Sequence, residues 1–326
     1  STQSRSSAAS DVYKRQPKLE KIIHKVTTQQ NAPSSFANGE LDALDIGDGD
    51  TYGQAKGRSD ASLQKSNGLT WTHLTINTKG GKGVLGDAKV REAIFKAVNR
   101  TAVSQAVVGP LEAPVILKDN YIYMPGQDGY EDSFGGELAE PDPEAAKKVL
   151  EDAGYKMNGK VYEKDGKKLE LSIIIPAETK SNEDRAKQVM TDLNNVGFKV
   201  SLKTVPSDKY FTDYILKGSF DLVTFSWEGT LLAELSSANT YLPDSEQNYT
   251  AHKDEEITKL NNKVQSEMDP AERKKAANEF SKKVGESFTV LPFYATPKIV
   301  GAKKGLVNYG AAQFETVDWT TVGFTE

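Results

Sequence analysis

Several groups of side chains in this chain have the types that chemistry needs, so their spacing decides what they can do. Gly81, Gly83 and Gly86 in GGKGVLG carry the G-x-G-x-x-G spacing with which a dinucleotide fingerprint brings backbone close to a pyrophosphate. Asp87 follows at once and would set a carboxylate where the pyrophosphate must sit, with no acid about 20 residues further on to hold a ribose. The Lys-Ser/Thr pair of a phosphate-binding loop is missing after Gly86, so the segment reads as a crossover loop. Asp42, Asp45, Asp48 and Asp50 lack the ligand spacing and closing Glu of a calcium loop and read as a solvated turn. His24, His73 and His252 are scattered, without metal-ligand spacing or a partner for base catalysis. No Ser sits in a G-x-S-x-G elbow. Two carboxylates acting on a glycosidic bond stay open as an alternative, because acids are abundant and their separation in space is not written in the sequence. No residue is assigned a catalytic or metal-binding role, and no cofactor is implied.

Composition narrows the field further. A net charge of -5, with acids and bases intermixed, offers no basic stripe for a phosphate backbone, so nucleic acid is not an expected partner. The absence of cysteine removes disulfides, thiolate metal sites and cysteine nucleophiles. No run approaches the roughly 18 apolar residues that span a bilayer. A length of 326 residues suits two lobes with separate cores.

The elements that would position a site alternate between strand and helix, the mark of an α/β lobe. Residues 1–16 are Ser-rich without an apolar period and are expected to be disordered; AASDVYKRQ also resembles a translated sequencing-adapter junction, a non-native start. KLEKIIHKV alternates as a strand, SSFANGELDALDI predicts a short helix closed by Gly39 and then a strand, and residues 51–68 read as a loop before the strand LTWTHLTIN. A helix runs from Asp87 to about Val108, and residues 110–136 form a long irregular stretch. In EPDPEAAKKVLEDAGY, Asp142 is the N-cap, Pro143 the first helical residue and Gly154 the left-handed stop. LELSIII, a helix over 182–195, FKVSLKTV, a helix over 207–217 and the nearly continuous apolar strand FDLVTFSW follow. Two helices over 254–268 and 270–288 lead into VLPFYAT and a tail of short strands.

Six stretches in order, FANGELDALDI, WTHLTINT, LGDAKVREAIFKAVNR, DPEAAKKVLEDAGY, GSFDLVTFSW and VLPFYATP, resemble the cluster C, or family 5, solute-binding proteins of oligopeptide and dipeptide ABC importers. The resemblance spans nearly all of the chain after residue 16. It implies an α/β fold of the periplasmic-binding-protein type (type II, cluster C). One near-complete lobe III would occupy residues 77–295, joined by hinge strands at 75–78 and 293–296 to a partial lobe I of residues 17–76 and 296–326. The first part of lobe I and all of lobe II would be missing.

The resemblance also implies a receptor without chemistry of its own, a monomer outside the cytoplasmic membrane. It would be tethered only by a lipid anchor on the missing N-terminus and would pass oligopeptides to permease subunits. The two lobes would close on an extended peptide by hinge motion, holding it through backbone hydrogen bonds. Trp227 would offer a flat apolar face with one N–H donor, and Ser226, Glu228, Gly229 and Thr230 would line the same wall. Asp45 and Ile46 would contribute from the facing lobe, with Asn77 and Tyr294 flanking the hinges. Peptide-binding members carry an aspartate shortly after the tryptophan to pair with the ligand's amino group; here that position is Thr230, so Glu228, Glu234 or Asp45 must supply the acid, or the solute is an oligosaccharide or other small molecule.

Overall fold

The computed structural model of the chain describes residues 16–27, 31–138 and 140–325, so the expected junction at 1–16 lies, but for Gln16, outside the described residues. The chain forms two compact units, one built from residues up to Gly68 and from Pro297 onward, the other from Leu69–Thr296. Two long strands, β2 (Ala61–Ile76) and β9 (Val290–Lys303), each run through both.

In the smaller unit, α1 (Ala32–Ala37) ends as Gly39 takes φ +78°, and β1 (Ala43–Asp45) pairs antiparallel with β9 from Ala43↔Ala302 to Asp45↔Val300. Residues 51–68 are not one loop. Asp48 accepts from the Thr51 N–H at 2.9 Å and caps α2 (Gly49–Lys56), whose face of Thr51, Tyr52 and Ala55 is buried, and β2 begins at Ala61. Glycine and charge in this stretch hide a helix that buries only one narrow face. The alternating KLEKIIHKV forms no strand: Ile23 is 73% exposed and Val26 fully so, because alternation makes a strand only where a neighbouring edge accepts it. The short strands β10 (Leu306–Val307) and β11 (Gly323–Phe324) pair near the C-terminal end.

In the larger unit, β2 runs antiparallel to β8 (Leu222–Glu228), with Trp71 opposite Trp227 and Ile76 opposite Leu222. On its other side β8 meets β6 (Glu170–Pro176) in parallel, and β6 meets β7 (Lys199–Val205) in parallel. One face of this sheet packs Leu74, Ile76, Leu171, Ile173 and Leu222 under α3 (Ala88–Ala97), α4 (Arg100–Val108), α5 (Pro143–Asp152) and α6 (Lys180–Asn195). The helix expected to run unbroken to Val108 stops at Ala97, because the Asn99 side chain accepts from the Ala102 N–H at 2.8 Å and starts α4 afresh. A small antiparallel sheet, β3 (Lys156–Asn158), β4 (Val161–Lys164) and β5 (Lys167–Lys168), turns at Asn158-Gly159 and Asp165-Gly166, with Gly159, Asp165 and Gly166 all at positive φ.

The other face carries Trp71 into a second core with Tyr121, Met124, Phe280 and Val284, beneath α9 (Glu255–Ser266) and α10 (Pro270–Glu286). Between β7 and β8, α7 (Ser207–Lys209) runs into a π-helical turn at Tyr210–Ile215, and α8 (Ala233–Ser236) follows β8. The irregular stretch at 110–136 is held internally: the Lys118 ammonium donates to the carbonyls of Asn120 and Tyr123, and the Tyr121 hydroxyl donates to the Val290 carbonyl at 2.6 Å.

Candidate functional site

The two edges of β8 are treated differently. The Asn77 N–H donates to the Asp221 carbonyl and the Gly229 N–H to the Leu69 carbonyl, so odd-numbered residues of β8 turn their backbone groups toward β2. Even-numbered residues therefore turn theirs outward. There β6 pairs only at Ile173↔Leu222 and Ile174↔Val223, whereas β2 stays paired to Glu228. The outward carbonyl of Thr224 is taken by side chains: Asn182 Nδ2 at 2.7 Å and the Tyr210 hydroxyl at 2.9 Å. Beyond it, the outward N–H and C=O groups of Ser226 and Glu228 have no strand beside them among the described residues.

The side chains on either face of this free edge differ in kind. On one face Trp227, half-buried, stacks on Tyr249 with ring centroids 5.8 Å apart and planes 7° from parallel, and meets the Phe225 ring at 5.4 Å. Tyr249 and Phe225 in turn meet Phe211, which is exposed. On the opposite face lies a row of hydroxyls: Ser226 Oγ is 2.9 Å from Thr72 Oγ1, which is 3.4 Å from Thr296 Oγ1, and Thr70 donates to the Glu228 carboxylate at 2.7 Å. One face is suited to apolar groups and the other to polar ones.

The remaining expected residues fall elsewhere. Gly229 is buried, and a Cβ there would lie 2.6 Å from Met124 Cγ, so the position demands glycine for packing. The Thr230 carbonyl accepts from Gln127 Nε2, and its hydroxyl lies 2.8 Å from that of Ser236, with which it shares a hydrogen bond. Asn77 turns inward and ties the carbonyls of Gly218 and Phe220. Tyr294 is buried, its hydroxyl accepting from Arg185 Nη1 at 3.2 Å. Asp45 and Ile46 belong to the smaller unit, where Asp45 pairs with Lys298 at 2.8 Å and the buried Ile46 donates its N–H to the Ile299 carbonyl. The other aspartates beside them serve the fold as well, Asp48 as the cap of α2 and Asp42 as a partner of Lys303. Glu234 is bound to Tyr123 and Arg273, each at 2.6 Å. Of the three candidate acids, Glu228 alone has no cationic partner among the described ion pairs.

The glycine-rich loop is also accounted for. Gly81–Gly86 is a short 3-10 segment whose Gly81 N–H donates to Asp221 Oδ1 at 2.6 Å, and Asp87 caps α3 by accepting from the Lys89 N–H, so acids occupy both ends of what a phosphate would need. No three His, Asp or Glu side chains gather as a metal site among the described residues.

Four residues near the free edge have no counterpart in the sequence reading: Asn182, Arg185, Tyr210 and Tyr249. His73, read there as a scattered histidine, lies beside Phe225 at 4.4 Å. It is wholly buried, its Nε2 without a partner, and held neutral with its pKa lowered to about 3 by burial first and then by Arg185 and Lys118. Arg185 was open to detection, since Asn182, Arg185, Ala186, Val189 and Leu193 form one buried stripe of α6, and a charged residue in such a stripe is out of place.

A family profile described as bacterial extracellular solute-binding proteins, family 5 middle, matches residues 4–249. The oligopeptide-binding protein OppA of Mycobacterium tuberculosis is 27% identical over 308 residues, 94% of this chain but 51% of the relative, so the chain spans about half the length of that protein. Among solved structures, the periplasmic EDTA-binding protein EppA superposes with a TM-score of 0.83 at 23% identity, covering 92% of this chain and 57% of the other. The oligopeptide-binding protein AppA of Bacillus subtilis, solved with a nonapeptide, superposes with a TM-score of 0.76 at 20% identity, covering 91% and 58%.

Proposed function

The chain belongs to the family 5 bacterial extracellular solute-binding proteins, and from that membership we propose that it is the peptide-capturing part of an ABC-importer receptor, with the outward edge of β8 at Ser226 and Glu228 as its binding strand. The observation that carries this reading is the interrupted pairing of β8, whose outward edge loses β6 after Val223 while its inward edge stays paired to Glu228. An extended peptide laid along that edge satisfies the outward backbone groups and its own, each hydrogen bond contributing about 0.5–1.5 kcal/mol whatever the side chains. Successive ligand side chains then meet the Trp227, Tyr249 and Phe211 face and the hydroxyl face in turn. Glu228 takes the ligand's ammonium group, the role for which Thr230 has no charge. The receptor works outside the cytoplasmic membrane on a lipid anchor, delivers its cargo to permease subunits and performs no reaction.

Titrating the chain with tetra-alanine while following tryptophan fluorescence and heat tests this reading. Saturable binding is expected, weakened at least tenfold by Trp227→Ala. A peptide library without heat for any member, with an oligosaccharide competing for the same fluorescence change, would move the assignment from peptides to sugars.

A further inference from the structure

Tyr249, whose ring stacks on Trp227, stands in the polar stretch between α8 and α9, which has neither helix nor strand from Leu242 to His252. One side chain closes that stretch. Asn248 donates from Nδ2 to the Leu242 carbonyl at 3.1 Å and to the His252 carbonyl at 2.9 Å, while its Oδ1 accepts from the Thr250 N–H at 3.2 Å and from the Thr250 hydroxyl at 2.6 Å. Both amide protons and both lone pairs are in use, the whole capacity of the group. The Thr250 hydroxyl in turn accepts from the His252 N–H at 3.1 Å.

This closure decides where Tyr249 stands. The bonds of Asn248 gather the chain from Leu242 on one side and from Thr250 and His252 on the other, so Tyr249 lies inside the closed segment. Thr250 is buried, and its carbonyl accepts from the Thr78 N–H at 2.8 Å and from the Thr78 hydroxyl at 2.9 Å, which fastens the loop to the chain just beyond β2. Ala251 takes φ +55°, where a residue with a Cβ is uncommon, so these bonds rather than local preference set the turn. Held in this way, the Tyr249 ring lies flat on Trp227 and edge-on to Phe211 at 5.7 Å and to Phe225 at 5.8 Å. No helix or strand backbone would fix the ring if the amide were lost.

We infer that Asn248 is a positioning residue for solute selection: by closing the loop from Leu242 to His252 it holds Tyr249 against Trp227 and sets the aromatic face on which a large apolar side chain of the solute lies. This rests on the reading that solute lies along the Ser226–Glu228 edge. Asn248 itself touches no solute and acts through Tyr249. Its loss therefore weakens the solutes that use the aromatic face more than those held by their backbone alone. Aspartate in its place keeps the oxygens that Thr250 needs, but it loses both donors and turns a negative charge toward the Leu242 and His252 carbonyls.

Calorimetry with three peptides tests this: tetra-alanine, Ala-Phe-Ala-Ala and Ala-Ala-Phe-Ala. Strand side chains alternate between faces, so one of the two phenylalanine peptides sets its ring on the aromatic face and should bind the wild-type chain about tenfold more tightly than tetra-alanine, the scale of one well-placed aromatic contact. In Asn248→Asp that ratio of affinities should fall close to one. A variant that merely folds less well weakens all three peptides by the same factor and leaves the ratio where it was. Tyr249→Leu should lower the ratio as far, and adding Asn248→Asp to it should lower it no further, since both changes act through the same ring. Should Asn248→Asp fail to fold, Thr250→Val, which removes the hydroxyl between Asn248 and the His252 N–H, is measured in the same way with a smaller fall expected. A ratio that Tyr249→Leu lowers and the loop variants leave unchanged overturns the inference while the peptide reading stands. Equal binding of all three peptides by the wild-type chain does the same. No binding of any peptide overturns the peptide reading and the inference with it.

Discussion

Arg100 and Arg185 are both buried in the larger unit, yet their surroundings have opposite characters. Arg100, the first residue of α4, donates Nε to the Pro292 carbonyl at 2.7 Å, Nη1 to the Leu138 carbonyl at 3.3 Å and Nη2 to the Lys118 carbonyl at 2.8 Å, and pairs with Asp119 at 2.7 Å. Arg185 has one tyrosine hydroxyl. The fold itself completes the first guanidinium, which ties β9, Lys118 and Asp119 within the irregular stretch and Leu138 just beyond it to a helix start. The second keeps its Nε without a partner in the free chain.

The largest expected effect follows from the completed member of the pair. Arg100→Met strands three carbonyls and the partly exposed Asp119 carboxylate, and removing one partner of a buried ion pair costs about 3–5 kcal/mol, the lower end of which applies where water can reach the remaining acid. Urea unfolding at pH 7 should show that loss. A loss below about 1 kcal/mol would erase the distinction between the two arginines.

An effect of comparable size, spread over a range of pH, belongs to His73, which senses the charge of Arg185. Its folded pKa of about 3 lies below the ordinary value of 6.5, so between these limits the unfolded chain binds the extra proton. Stability from this group is therefore complete above pH 6.5 and falls as the pH drops toward 3, by up to about 1.4 kcal/mol per pH unit. Carboxylates contribute their own acid sensitivity, so the comparison is with His73→Asn, whose stability curve should be flatter over that window. Parallel curves for the two proteins would show that His73 titrates normally and that no cationic environment surrounds it.

How much of this could be read beforehand depends on how local each cause is. The Asp142 cap, the Pro143 start and the Gly154 stop of α5 are interactions within a few residues, and all are found, with Asp142 Oδ1 accepting from the Ala145 N–H at 2.8 Å. β8 was legible because its apolar run reflects burial on both faces. Its free edge was not, since that depends on β6 leaving after Ile174 and on Asn182 and Tyr210 standing in its place, residues 42 and 14 positions away in sequence from Thr224. Asn77 misled for a related reason: a polar residue at the end of a strand offers itself to a ligand or to a nearby turn equally well, and here the turn at Gly218–Phe220 takes it. Tyr249 lies in a loop rich in polar residues, where nothing in the local pattern tells that it stacks on Trp227.

The smallest effect on stability, and the sharpest test of the comparison, is expected at Arg185 itself. The free protein bears the desolvation of this guanidinium with one hydrogen bond in return, so a side chain of similar length without charge should fit as well or better. Arg185→Met loses one hydrogen bond to Tyr294, about 0.5–1.5 kcal/mol, and is relieved of an unpaired buried charge. Unfolding should then show a change within about 1 kcal/mol of wild type, or a gain. The same variant should raise the pKa of His73, because one of the two cations that hold it down is gone while burial, the larger cause, remains. A titration of the His73 ring resonances checks this without any ligand. A loss of several kcal/mol on Arg185→Met, matching Arg100→Met, would place both arginines in the framework of the fold and erase the difference between them.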